Sequence, residues 1–355
     1  MTSIVEETEM ERRTSGSPLP RILKNLGASV FSIALTMVGL LAVTFIIGRV
    51  MPIDPVLAVV GDKASDEVYQ AAYKAMGLDK PLIVQFGIYL RDVLQGNFGM
   101  STLTARPVSV DIIRVFPATL ELATIATFLG VVIGVPAGVI AAVKKGSWID
   151  QLIRLVGLFG YSMPVFWLGL MGLLIFYGKL DWVAGPGRLD VYYEDIVPTV
   201  TGLITVDALL AGDTDIFFNA LSHLVLPASL LGYYSLAYVS RMTRSFMLEQ
   251  LSQEYITTAR VKGLSELSVI WKHGLRNVMV PLITVIALAY ASLLEGSVLT
   301  ESIFAWPGIG QYITNALFNA DMAALLGGTV VIGIVFVGLN LLSDILYKIV
   351  DPRAR

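Results

Sequence analysis

The sequence predicts an all-α integral membrane protein with six transmembrane helices, and three observations carry that prediction. Of the 355 residues, 55% are hydrophobic and only 15% charged, where a soluble domain carries about 25% charge. The apolar residues gather into six runs, each near the roughly 20 residues that a helix needs to cross a bilayer. Of the 25 Lys and Arg, 16 fall at the two chain ends and around alternate loops between those runs, as retention of positive charge on the cytoplasmic side requires. The net charge of −3 argues against nucleic acid as a partner. Two His and no Cys leave little for a zinc site and nothing for a disulfide or a thiol nucleophile.

Residues 1–26 read as a cytoplasmic tail. Its opening stretch is polar and free of aromatics, so it is expected to be disordered. The first span, 27–49, is too long for a signal-peptide core and ends without a small-residue cleavage site, so it is read as a retained anchor. Residues 50–116 are long for a connector. The amphipathic stretch around Val84, Phe86, Ile88, Tyr89, Leu90, Val93 and Leu94 predicts a small helical subdomain outside the membrane. It either contacts another protein or caps the bundle.

The remaining permeation core is expected over 117–348, with spans at 117–143, 151–178, 223–245, 278–300 and 323–348, and a short cytoplasmic end at 349–355. In the second span Gly130, Gly134 and Gly138 recur at every fourth residue, one ridge on which a neighbouring helix backbone can approach closely. Pro136 and Pro164, the latter in "SMPVF", permit kinks. They serve either bundle packing or a hinge. The loop 179–222 is acidic (Asp181, Asp190, Glu194, Asp195, Asp207, Asp213 and Asp215) and either is a solvated face or favours cationic cargo. Its apolar patch at 196–211 reads as a loop helix or an interfacial segment. With the N-terminus inside, Arg12, Arg13, Arg21, Lys24, Lys144, Lys145, Arg154, Arg241, Arg244, Arg260, Lys262, Lys272, Arg276, Lys348, Arg353 and Arg355 all fall inside.

A charged segment, "EYITTARVKGLSELSVIWKHGLRNVMVPL", interrupts the apolar pattern at Glu254–Leu282, within the loop 246–278. Glu254 suits the positive end of a short helix, and Arg260 and Lys262 suit its negative end. Gly263 fits a left-handed C-terminal cap. Ser265 can cap a second helix with Glu266 in its first turn. The pattern predicts helix, tight turn, helix. It is either a docking surface for another protein or an amphipathic segment lying on the bilayer. The small residues Ala259 and Gly263 favour docking.

Acidic residues inside spans are expensive and default to function. Glu121 and Glu295 lie near outer span ends. They are either solvated or capped helix ends or, with His223 and Pro164, part of a translocation path that meets a cargo amine or cation; His223, near an outer helix start, reads otherwise as a local hydrogen-bonding residue. Asp344 reads as a structural hydrogen-bonding residue. His223 and His273 lie at opposite ends of the fourth span and its loop, so no shared metal site and no hydrolase base is expected.

The charged segment is similar to the cytoplasmic EAA loop of ABC importer permeases, in the version of the dipeptide/oligopeptide/nickel group. There an acidic residue and Tyr precede "TARAKGL", followed by a His, an "RN" pair and a Pro. Here these are Glu254, Tyr255, Thr258, Ala259, Arg260, Lys262, Gly263 and Leu264, then His273, Arg276, Asn277 and Pro281. Val261 replaces the usual Ala. "MGLDKPLIVQF", "GNFGMS", "RPV", "FPATLELA", "KKGSWID", "SMPVFWLG", "HLVLPASLLG", "RMTRSFMLE", "GSVLTESIFAWPGIGQ" and "NLLSDILYKIVDPR" extend the resemblance over nearly the whole chain. Departures occur at Asn97, at Phe246 and in "MAALLGG" after Asp321.

The resemblance implies a first-permease, B-type subunit in the inner membrane, moving di- or oligopeptides by alternating access. It implies a second homologous permease, two cytoplasmic ATPase subunits and an external substrate-binding protein, with the EAA loop supplying the helix that couples to an ATPase. The same architecture also serves nickel chelates, glutathione, opines or oligosaccharides. The chain itself is not expected to be an enzyme or to bind a cofactor. Its only Gly-Lys pair, Gly178-Lys179, is followed by Leu180 and lacks the P-loop glycine at Leu173, so ATP and Mg belong to the partners. A secondary transporter working alone would want inverted repeats with paired broken helices, and the sequence displays no such symmetry.

Overall fold

The computed structural model describes the backbone of residues 18–50, 54–61, 63–194 and 196–350, with side chains described except at 18–30, 49, 50, 55, 58 and 343–350. The expected tail up to residue 17, the expected end at 351–355 and the side chain of Asp344 lie outside the described residues. Residues 1–51 and 52–355 are separate compact units. The first contains α1 (Pro18–Val50), whose window Phe31–Gly48 has a mean hydropathy of 2.3. The helix begins ahead of the expected residue 27. Pro18 and Pro20 stand in its first turn, where a missing N–H leaves no intrahelical bond unmade.

The second unit opens with three short helices, α2 (Pro55–Val60), α3 (Asp66–Ala75) and α4 (Leu82–Leu94). Asp54 caps α2, accepting from the Val56 N–H at 2.8 Å, and also accepts from the Tyr69 hydroxyl of α3 at 2.6 Å. Then α5 (Val108–Val143) runs 36 residues. It starts before the expected residue 117, because extended Pro107 sets the N-cap and Pro117 is carried inside the helix.

The expected third span is not one rod. It is α6 (Trp148–Ser162) followed by α7 (Val165–Gly172) and a π-helical turn at Leu173–Tyr177, with a bend of 101° between them. Pro164 disfavours the helical region for the residue before it. Met163 accordingly sits at φ −91°, ψ 132°, and Pro164 becomes the N-cap of α7. After α8 (Ile204–Ala211), the helix expected within the acidic loop, α9 (Thr214–Leu251) is the longest element. A short helix, α10 (Glu254–Val261), a π-helical stretch at Ser268–Gly274 and α11 (Leu275–Gly296) follow. The chain closes with α12 (Val298–Ile303), α13 (Ile309–Phe318) and α14 (Met322–Val350). Among the described residues, five helices are long and apolar enough to cross a membrane, or six if the bent pair is one span.

The glycine ridge of α5 lies against α9. A Cβ on Gly130 would overlap Ser235, one on Gly134 would stand 3.1 Å from the Leu236 carbonyl, and one on Gly138 would stand 2.6 Å from the Ser240 carbonyl and from Thr243. The contact positions rise together along both helices, so α5 and α9 are parallel. Contacts of Gly157, Gly160, Gly169 and Gly172 fall back along α9 from Ala237 to Leu226, so the bent pair as a whole leads the chain back towards the start of α9. One end of the bundle therefore carries Lys144, Lys145 and the charged segment after α9. The other carries the starts of α5 and α9, the acidic loop, α12 and α13.

Candidate functional site

The charged segment folds as a compact hairpin. Extended Gln253 breaks the chain after α9, and the Thr258 hydroxyl bonds back to the Glu254 carbonyl at 3.0 Å. At the far end, Gly263 takes φ +79°. Leu264 N–H donates to the Ala259 carbonyl (3.3 Å) and Gly263 N–H to the Arg260 carbonyl (2.9 Å). This is the bond pair that closes a helix through a left-handed residue. Arg260 clasps Glu266 across the turn with two hydrogen bonds, 2.9 and 3.3 Å. Ser265 caps the second arm weakly, its hydroxyl 3.4 Å from the Ser268 N–H.

The inner face of the hairpin is Ile256, Ala259 and Val269, packed against Leu251 at the end of α9. Met247, Ile270, Val278 and Leu282 continue that packing between α9 and α11. Ala259 is thus used inside the hairpin rather than on a docking face, which corrects the expectation from its small size. The outward face holds Tyr255, Val261, Leu264, Leu267 and Trp271, with Val261 82% and Leu267 72% exposed. Lys262 stands beside them, also exposed. The second arm enters α11 through a π-helical stretch, a geometry that recurs at functional sites.

The four residues expected to share a path are not joined to one another. Glu121 is buried and satisfied: Oε1 accepts from the Thr205 N–H (2.9 Å) and hydroxyl (2.6 Å), and Oε2 pairs with Arg188. His223 is buried, with Nδ1 3.0 Å from the Gly185 carbonyl and Nε2 3.2 Å from Asp190. Both tie the acidic loop to the bundle. Pro164 marks the bend. Glu295 is exposed and forms no hydrogen bond or ion pair among the described residues.

Of the buried acids that escaped the sequence reading, two organise the end of the bundle that carries α12 and α13. Glu301 is fully buried and accepts from Thr119 (2.7 Å), Ser297 (2.9 Å) and the N–H groups of Gly310 (2.7 Å) and Gln311 (3.1 Å), so it holds the N-terminus of α13. Asp321 accepts from the Ser101 hydroxyl (2.5 Å), Leu103 N–H (3.1 Å) and Ala324 N–H (3.1 Å). Neither lies in an apolar run, so span-based reading passed over them. The acidic loop is likewise built rather than merely solvated at Asp207. Burial alone would raise that carboxyl, but the Thr201 hydroxyl and the N–H groups of Thr201, Gly202 and Val200 outweigh burial and hold it below the usual carboxylate range.

Residues 134–355 match the family of binding-protein-dependent transport system inner membrane components, and residues 22–123 match the N-terminal family of such membrane components. The probable D,D-dipeptide transport system permease protein DdpB of Escherichia coli (strain K12) is 44% identical over 324 residues, covering 91% of this chain and 95% of that protein. The di/tripeptide transport system permease protein DppB of Pseudomonas aeruginosa (strain UCBPP-PA14) is 42% identical over 90% of this chain and 95% of that one. The dipeptide transport system permease protein DppB of Escherichia coli (strain K12) is 40% identical over 94% and 98% respectively. A solved structure of inward-facing MetNI methionine ABC transporter aligns with a TM-score of 0.49 and 16% identity, over 68% of this chain and 96% of that one.

Proposed function

Because the chain belongs to the family of binding-protein-dependent transport system inner membrane components, we propose that it carries short peptides, di- or oligopeptides, into the cytoplasm as one of two homologous permeases. Two separate ATPase subunits drive it, and an external binding protein delivers the cargo. The peptide reading is supported by relatives whose names specify dipeptide or di/tripeptide transport. The basic residues of the loops favour a cytoplasmic hairpin and cytoplasmic termini.

The hairpin is the observation that carries this reading. Its inner face is locked to α9 and α11 by buried Ile256, Val269 and Met247, so a push on it moves both helices. Its outer face offers Val261, Leu264 and Leu267 to a partner, flanked by Lys262. An ATPase cleft that closes on ATP would shift the hairpin as a body, and the helices would pass that shift to the bundle. Hydrolysis, with its ATP and Mg, stays in the partner.

The test is a mild-detergent pull-down of the tagged chain from native membranes, followed by dipeptide uptake into vesicles. Recovery of a second permease and ATPase subunits, with uptake that requires ATP, is the expected result. A chain that comes down alone and transports without ATP overturns the proposal.

A further inference from the structure

A groove of about 580 Å³ opens between α6 and α9 near the hairpin end of the bundle. Its walls are unusual in chemistry. Arg154 comes from α6, Arg241 and Arg244 come from α9, and Ser240 and Ser245 add hydroxyls. Arg244 is spent: its Nε lies 2.7 Å from Asp150, in a two-pronged pair. Arg154 and Arg241 form no ion pair among the described residues. Arg154 exerts only a through-space attraction on Asp150. Arg241 is held by rings instead, its guanidinium 4.9 Å from the Tyr161 centroid and 5.8 Å from that of Tyr238. Stacking of this kind fixes the plane of the guanidinium and leaves its N–H edge free for a ligand.

The rest of the groove is greasy. Leu155 and Leu158, on the same helix as Arg154, are 50% and 62% exposed. Trp148, at the start of α6, is 72% exposed, the position that an indole takes at a membrane–water boundary. Two arginines that form no ion pair among the described residues thus share one groove with the apolar side chains Leu155 and Leu158. We propose that this groove holds the headgroup of an anionic phospholipid. The phosphodiester would lie between Arg154 and Arg241, and an acyl chain along Leu155 and Leu158. Arginine forks suit phosphate oxygens, and basic pockets between membrane helices are a recurring headgroup site. The occupant is a lipid rather than a soluble anion because the apolar side chains Leu155 and Leu158 share the groove with the charges.

The test uses the full chain with its co-purifying partners in lipid nanodiscs. Phosphatidylglycerol or phosphatidylcholine, each brominated on the acyl chains, is added at equal mole fraction to an unbrominated phosphatidylcholine background, and tryptophan fluorescence is read with and without Trp148→Phe. Stronger quenching of the Trp148 contribution by the phosphatidylglycerol is expected; equal quenching by the two lipids overturns the site. Native mass spectrometry of retained phosphatidylglycerol then compares Arg154→Gln/Arg241→Gln with a control, Lys272→Gln/Arg276→Gln. The first pair should weaken retention by roughly fivefold per arginine, about twenty-five-fold together, and the control should not. Unchanged retention in the first pair overturns the assignment. Displacement of the lipid by millimolar inorganic phosphate overturns the lipid in favour of a soluble anion. A groove that a second permease covers would exclude both lipids and abolish the difference in quenching.

Discussion

Glu121 of α5, itself buried, and the partly buried Arg188 of the loop after α7 meet in an ion pair, with the Arg188 Nε 3.0 Å from the carboxylate. Arg188 also donates to the Gly202 carbonyl at 2.7 Å and lies over the Trp306 ring, 5.8 Å from its centroid. One arginine therefore ties the acidic loop, α5 and the segment before α13 together. Removing one partner of such a pair strands the other charge and costs about 3–5 kcal/mol. Glu121→Gln should lower the melting temperature of the purified transporter by several degrees, and the double variant Glu121→Gln/Arg188→Met should recover part of that loss. If Glu121 instead met cargo, uptake would fall while the melting temperature stayed put.

The glycine ridge yields a graded prediction. A methyl on Gly138 meets backbone oxygen at 2.6 Å, whereas on Gly134 the closest backbone approach is 3.1 Å. Overpacking a tight contact costs about 1–3 kcal/mol. Gly138→Ala should be more damaging than Gly134→Ala, read as detergent-solubilised yield and melting temperature. Equal tolerance at both positions would mean that α5 and α9 do not pack as closely as the structure has them.

At the hairpin, stability and coupling should separate. Gly263 at φ +79° has open space around it, so Gly263→Ala suffers only the left-handed backbone penalty, about 1–2 kcal/mol. The exposed Arg260–Glu266 pair contributes less, at most about 1 kcal/mol. Val261→Ser and Leu267→Ser touch nothing buried and should leave the melting temperature unchanged. All the same, they should reduce ATP-driven uptake several-fold if that face seats an ATPase. Uptake unaffected by the paired serine variant would remove the docking role from this face.

What the sequence made legible follows the physics of each signal. The hairpin was readable because its caps are local: Gly263 and Ser265 act on their own neighbours. The ridge was readable because its period is that of a helix. The bend at Pro164 was readable as a kink, but its 101° size was not, since the angle depends on what α7 packs against. Which of the two readings of Glu121 and of His223 holds was not legible, for a related reason. Burial and long-range partners decide whether an acid in a span faces cargo or a loop, and Arg188 lies 67 positions from Glu121. Glu301, Asp321 and the Asp150–Arg244 pair depend on contacts of the same kind.

The acidic loop should respond to pH through Asp207. Its carboxylate accepts from the N–H groups of Val200 (3.2 Å), Thr201 (2.8 Å) and Gly202 (2.9 Å) and from the Thr201 hydroxyl (2.7 Å). Its folded pKa lies below the unfolded value of 3.8. A depressed carboxyl stabilises the fold above the unfolded pKa and loses that contribution as pH falls through the folded one. Asp207→Asn keeps one acceptor oxygen and leaves buried donors unmet, at about 1–3 kcal/mol for each. The variant should therefore melt lower than the parent at neutral pH, and the gap should close only as the pH drops below the unfolded value, where the parent also takes up a proton. A gap that stays constant through that acid range would show that the carboxylate charge is not what holds the loop. The neutral side chain's shape would then have to account for the whole loss.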